Sequence, residues 1–109
     1  MIDRTLAALA EPTRRRVIDL LREGPLRAGE LAEAVDVSPP LMSRHLRTLR
    51  LHGIVEETHG DPADTRVRVY RLKREPFVEL RGWLDEVEAF WTDQLGAFRE
   101  HVEKTRKRK

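Results

Sequence analysis

Cysteine is absent from this chain of 109 residues. That absence excludes disulfides, thiolate metal sites and thiol redox sensing together. No apolar run approaches the ~20 residues that a bilayer span requires. Asp3 and Arg4 interrupt any signal-peptide pattern at once, so a cytoplasmic protein with no membrane partner is the expectation. No nucleophile is placed beside a base, no glycine-rich phosphate loop occurs, and no carboxylate pair falls in an expected cleft. The chain does not read as an enzyme and calls for no cofactor. His52, His59 and His101 are scattered, whereas a metal site needs convergent ligands; no metal site is expected.

Charge, by contrast, is plentiful. Charged residues form 37% of the chain and apolar residues 39%, against ~25% charged in an average globular protein. Such a sequence can bury one modest core, so residues 1–109 read as a single domain. The net charge is only +2, but it is unevenly spread. Residues 1–74 hold 14 basic and 11 acidic side chains, residues 75–103 hold 2 and 8, and residues 104–109 carry five basic ones. A basic front and an acidic rear suit a protein that meets a polyanion with one surface.

The most informative stretch is residues 38–50. Met42, Leu46 and Leu49 recur at i, i+4 and i+7 and form one apolar stripe. Pro40, Ser43, Arg44 and Arg47 fall on the opposite side, and no acid occurs between Val37 and Ile54. One face can anchor the helix while the other offers arginines and a hydroxyl to an anion. Ser38 is suited to cap it, Pro39 fits its first position, and Gly53 is placed as its stop. A second short amphipathic helix spans 28–35, and only Asp36, Val37 and Ser38 separate the two. That is the layout of a helix-turn-helix over 28–52, whose second helix enters the DNA major groove.

The flanking segments complete the unit. Residues 2–10 read as a helix marked by Leu6 and Leu9, with Asp3 as a candidate cap, and a second helix runs from 12 to about 23. Arg14, Arg15 and Arg16 share that helix with Asp19 and Glu23, which favours structural ion pairs. Leu26 supplies a minimal strand. Residues 54–59 and 65–72 read as strands around the turn residues 60–64, a hairpin that forms a wing over 54–72. Arg66 and Arg68 lie near its tip, within reach of backbone phosphates or a minor groove, although Asp61 and Asp64 would face the same anion.

From 76 to 104 the chain reads as one long helix, about 43 Å at ~1.5 Å per residue. Leu80, Leu84, Val87, Trp91 and Phe98 follow steps of three, four and their sum, seven. Five of the six aromatic residues lie here, more than a small monomer would cover. Heptad-like spacing points to a partner helix. Leu6, Leu9, Leu80, Leu84, Val87, Trp91 and Phe98 are therefore the candidate dimer interface; a small-molecule pocket between two such helices is the second reading of the stripe. Residues 105–109 read as a disordered basic tail.

Taken together, these residues resemble the ArsR family of bacterial transcriptional regulators. The likeness rests on residues 6–14 (LAALAEPTR), on Gly29-Glu30-Leu31-Ala32, on residues 43–49 (SRHLRTL) with Gly53-Ile54-Val55, and on Val69-Tyr70-Arg71-Leu72. It implies a mainly α fold with a small β-hairpin, a winged helix-turn-helix with a long C-terminal dimerisation helix. It also implies a homodimer that represses promoters at an inverted-repeat operator in double-stranded DNA and is released by an effector. The family's metal-sensing members place cysteines in the helix that here reads Glu30-Leu31-Ala32-Glu33-Ala34, and others use paired histidine motifs on the last helix, where only His101 stands. The aromatic end is similar to a metal-free branch. Pro39 occupies a position where the family often has a base-reading polar residue.

Ser38, Pro40, Ser43, Arg44, His45, Arg47, Arg66 and Arg68 are the candidate DNA contacts. Arg44 and Arg47 are suited to base edges; Ser43 could meet either a phosphate or a base edge. His45 lies beside the apolar stripe, so a buried structural role competes with phosphate contact. Ser38 reads first as a cap. The competing function is a winged-helix protein-interaction module that binds no DNA, for which Pro39, Pro40 and the acidic wing turn speak.

Overall fold

A computed structural model of the chain describes residues 2–107; nothing is described of the side chains of Thr65 and residues 104–107. Five helices and one hairpin occur among the described residues: α1 (Ile2–Leu9), α2 (Pro12–Leu21), α3 (Ala28–Val35), α4 (Pro39–Leu51), β1 (Val55–Asp61), β2 (Asp64–Leu72) and α5 (Glu75–Lys107). Local chemistry sets most boundaries. Glu11 caps α2 by accepting from the Arg14 N–H at 2.9 Å, with Pro12 at the first position. The Glu30 carboxylate accepts from the Arg27 N–H at 3.0 Å at the start of α3. Asp36 ends α3 in the left-handed region at φ 55°, a conformation that Asp tolerates better than bulkier residues. Ser38 Oγ accepts from the Leu41 N–H at 3.3 Å to open α4, and Gly53, at φ 74°, turns the chain out of it.

The core lies where α1 to α4 converge with the base of the hairpin. Ala8, Val17, Ile18, Leu21, Leu31, Ala32, Val35, Met42, Leu46, Leu49, Ile54 and Val55 are buried in one cluster. Leu9, Tyr70, Leu72 and Phe77 pack against it from the edge. The strands pair antiparallel, from Val55 opposite Leu72 to Asp61 opposite Asp64, with an irregularity between His59 and Asp61. Leu26 adds one bridge, its backbone exchanging hydrogen bonds with Tyr70 at 3.2 and 2.8 Å.

Several expectations are corrected. Arg14, Arg15 and Arg16 form no ion pair with Asp19 or Glu23; Asp19 instead meets Arg22 at 3.5 Å. Arg14 donates to the carbonyls of Ala8 (2.7 Å) and Ala7 (3.2 Å), and Arg15 to those of Leu9 (2.7 Å) and Ala10 (3.2 Å). The last carbonyls of α1 have no helical partner, and guanidinium donors one helix away satisfy them. Asp3 lies inside the first turn of α1 instead of capping it. The face that α1 buries is Thr5 and Ala8, while Leu6 points outward and Leu9 is drawn into the protomer's own core. The hairpin turn shrinks to Pro62 and Ala63, because pairing resumes at Asp61 opposite Asp64 after an irregularity at Gly60. At Gly60 a Cβ would stand 2.7 Å from a Val69 methyl carbon, so a larger residue here would force the Val69 side chain to shift. Helix α5 continues to Lys107, through most of the segment expected as a disordered tail; residues 108 and 109 lie outside the described residues.

The stripe on α4 predicts its own cost of removal. Leu46 is fully enclosed, so Leu46→Ala should lower unfolding free energy by about 2–5 kcal/mol in a denaturant titration. A loss below about 1 kcal/mol would show that α4 is not anchored through this residue.

Candidate nucleic-acid interface

The burial of Met42, Leu46 and Leu49 fixes how α4 is rotated. With those three turned inward, Pro40, Ser43, Arg44, Arg47 and Arg50 are all exposed. No acid stands on this helix. Arg44 and Arg47 form no ion pair with any described residue, so both guanidiniums keep all their donors. Between α4 and the hairpin lies a concavity of about 580 Å³ lined by Ser43, Arg47, Arg50, Leu51 and Tyr70.

His45 is placed differently from its neighbours on the helix. Its side chain is only 12% exposed, and its Nδ1 lies 3.9 Å from the Glu11 carboxylate. The ring therefore ties α4 to the junction of α1 and α2, which leaves little of it for a phosphate. His52, at the other end of α4, donates from Nδ1 to the Arg4 carbonyl at 2.8 Å. Two histidines thus hold the helix against α1 and its exit.

The wing carries its arginines in pairs with acids. Arg66 contacts Asp64 at 3.2 Å, Arg71 contacts Glu56, and Glu57 faces both Arg50 at 2.9 Å and Arg68 at 4.0 Å. Arg66 and Arg68 remain exposed, as a wing-tip role requires, but neither is unneutralised. Sequence reasoning missed Arg50 and Tyr70 as members of the α4–wing concavity. Arg50 was open to discovery from its place at i+7 from Ser43 and i+3 from Arg47. Tyr70 was not, because only the folded hairpin brings it there.

The candidate dimer residues divide into two groups. Leu9, Leu80 and Val87 are half-buried within the protomer. Leu6, Leu84, Trp91 and Phe98 are exposed, Phe98 to 67%. Trp83, Phe90 and Leu95 extend the uncovered surface, and Phe90 meets Trp91 edge to face at 6.2 Å. Among the described residues no group of three His, Asp or Glu side chains could hold a metal ion, and no helix is long and apolar enough to cross a membrane.

Two amphipathic helices joined by three residues, with the second presenting a cationic face beside a hairpin, define a winged helix-turn-helix. A model of bacterial regulatory proteins of the arsR family matches residues 11–57. The HTH-type transcriptional regulator Rv2034 of Mycobacterium tuberculosis is 40% identical over 101 residues, which are 93% of this chain and 88% of that protein. The transcriptional repressor SdpR of Bacillus subtilis is 38% identical over 50 residues, 46% of this chain and 56% of its own. An ArsR-like transcriptional regulator from Rhodococcus sp. RHA1 shares the fold with a TM-score of 0.78 at 25% identity, over 94% of this chain and 91% of its own. The winged helix-turn-helix DNA-binding domain of Mb0332 from Mycobacterium bovis, solved as a homodimer, gives 0.63 at 25% identity over 81% and 78%. The chain belongs to the arsR family and is a transcriptional regulator of the winged helix-turn-helix class. The regulators it resembles favour this reading over a protein-interaction module.

Glu11 offers a pH test of the α1–α2–α4 junction. Partial burial raises its pKa, but the Arg14 N–H, the charges of His45 and Arg14 and a hydrogen bond from Thr13 outweigh it and hold the carboxyl below its ordinary value. The resulting stability is complete above about pH 4.3, the unfolded value, and is lost as pH falls through the lower folded value. Glu11→Gln should therefore be less stable than wild type at pH 7, with the gap closing below about pH 4. Thermal midpoints that differ equally at both pH values would refute a role for the charge.

Proposed function

We propose that two copies of this chain form a homodimer that binds an inverted-repeat operator and represses transcription. The observation that carries the reading is the outward face of α4, where Pro40, Ser43, Arg44 and Arg47 stand together with no acid on the helix. In this reading Arg44 and Arg47 read base edges, since an arginine can pair bidentately with guanine. Ser43 meets a phosphate or base edge, Ser38 holds the helix N-terminus, and Arg66 and Arg68 approach the backbone from the wing. His45 supports α4 from behind.

Dimerisation rests on the uncovered stripe of α5. Leu84, Trp91 and Phe98, with Leu6 on α1, form apolar surface that water would otherwise meet, and such surface favours an interface. Pairing of two subunits sets the two α4 helices about one helical turn of DNA apart, ~10 bp between half-site centres. The reading places the protein in the cytoplasm, assigns it no catalytic step, and leaves its effector, if it has one, unspecified.

The purified protein should bind the DNA upstream of its own coding region with an affinity that falls steeply with salt, by about 0.9 logarithmic units per neutralised phosphate for each tenfold rise in salt. Arg44→Ala should relax preference at one base position and cost about 1–3 kcal/mol there; a uniform loss over all sequences would demote Arg44 to phosphate contact. No salt-dependent binding at all would overturn the function. Sedimentation equilibrium should find a dimer at micromolar concentration and a monomer for Trp91→Glu. A wild-type monomer at that concentration would remove the basis for a two-fold operator.

A further inference from the structure

Arg44 and Arg47 form no ion pair among the described residues, whereas Arg50 and the arginines of the wing each face a carboxylate. The centre of that difference is Glu57. It pairs with Arg50 at 2.9 Å through one carboxylate oxygen and approaches Arg68 to 4.0 Å through the other. Its side chain is half-buried, and it lies directly opposite Tyr70 in the hairpin register. The surrounding concavity, about 380 Å³, is lined by Arg50, Gly53, Val55, Glu56, Glu57, Arg68 and Lys73. Glu56, one residue away, pairs instead with Arg71 and points to the other face of the strand. The sequence therefore places two adjacent acids on the wing, and only one of them faces the recognition helix.

A carboxylate bonded to one guanidinium and facing a second resembles a backbone phosphate between two arginines, since both are monoanions offering two acceptor oxygens. We propose that Glu57 is an internal counter-ion that competes with DNA phosphate for Arg50 and Arg68. This rests on the DNA-binding reading and deepens it. When both arginines turn to phosphates, the freed carboxylate is screened by cation from solution, at most one for its single charge. That uptake offsets part of the cation released from DNA, so the two contacts contribute less to the salt dependence than two free arginines would. Backbone contacts supply sequence-independent affinity. Muting them at the α4–wing junction lowers binding to random DNA and leaves discrimination to Arg44 and Arg47. Glu57 is in this sense a specificity-determining residue that touches no base.

The test uses the full chain, a mixed-sequence duplex of roughly 30 bp, about three helical turns, and fluorescence anisotropy across a salt series. Glu57→Gln should tighten binding about two- to five-fold, the range of a lost exposed ion pair. It should also steepen the salt slope by up to about 0.9, the share of the single charge removed. The gain should vanish when Arg50→Ala and Arg68→Ala are already present. Glu56→Gln, which removes the same charge beside the same strand, should give a smaller gain that survives those two substitutions. Glu57→Thr, a residue that strands favour, provides a second neutral variant should the glutamine destabilise the hairpin. Weaker binding, an unchanged slope, or an equal gain without the two arginines would overturn the proposal. A wild-type protein that binds the duplex while Glu57→Gln leaves it unaltered defeats only the counter-ion; a wild-type protein that ignores the duplex at low salt defeats the DNA-binding reading as well.

Discussion

The rotation of α4 about its own axis is the constraint on which the rest of the molecule depends. Three buried side chains, Met42, Leu46 and Leu49, set it. Each fully buried aliphatic residue contributes ~1.5–3 kcal/mol relative to exposure. Turning the helix by even half a turn would expose all three and bury arginines in their place, at a far greater cost. The apolar stripe therefore decides which way the cations point. Ser38 at one end and His52 on the Arg4 carbonyl at the other keep the helix from sliding. His45 against Glu11 holds its middle to the α1–α2 junction.

Charge is distributed over this frame with a clear logic. The outward face of α4 has no acid on its own helix, and Arg44 and Arg47 form no ion pair with any described residue. Around it, the protein neutralises its cations locally. Arg14 and Arg15 saturate the carbonyl end of α1, where positive charge is favoured by the helix dipole. The wing matches arginines to Glu56, Glu57 and Asp64. The small net charge of the whole chain thus conceals a strongly local one. The outward face of α4 thus offers two guanidiniums unpaired among the described residues, with a set of paired ones beside them.

The long α5 helix raises the opposite problem, too much apolar surface. Phe77 reaches the core, but Trp83, Phe90, Trp91, Leu95 and Phe98 lie beyond it, and the chain extends 76 Å along its longest axis. A domain of this size has one core, and α1 to α4 with the base of the hairpin fill it. Gly82 and Gly96 weaken the helix intrinsically, so a lone α5 would be poorly held over its distal half. In the proposed homodimer, packing against a second subunit supplies what local propensity lacks.

The sequence by itself determined the order of elements, the helix-turn-helix and its caps, because periodicity, Ser38-Pro39 and Gly53 act over a few residues. It also marked Arg44 and Arg47, since the acid-free stretch is local. Other features escaped it. Arg14 and Arg15 sit near acids in sequence, yet space offers them orphaned carbonyls, a stronger claim than solvated ion pairs. Asp61 and Asp64 read as turn chemistry, yet cross-strand pairing joined them in the hairpin strands. Glu57 was one acid among many until the fold set it between Arg50 on α4 and Arg68 on β2. Only tertiary structure decides such matters, because a carboxylate's partner is chosen by distance in space, and the seven residues from Arg50 to Glu57 pass through a helix end, a left-handed glycine and a strand before the two charges meet.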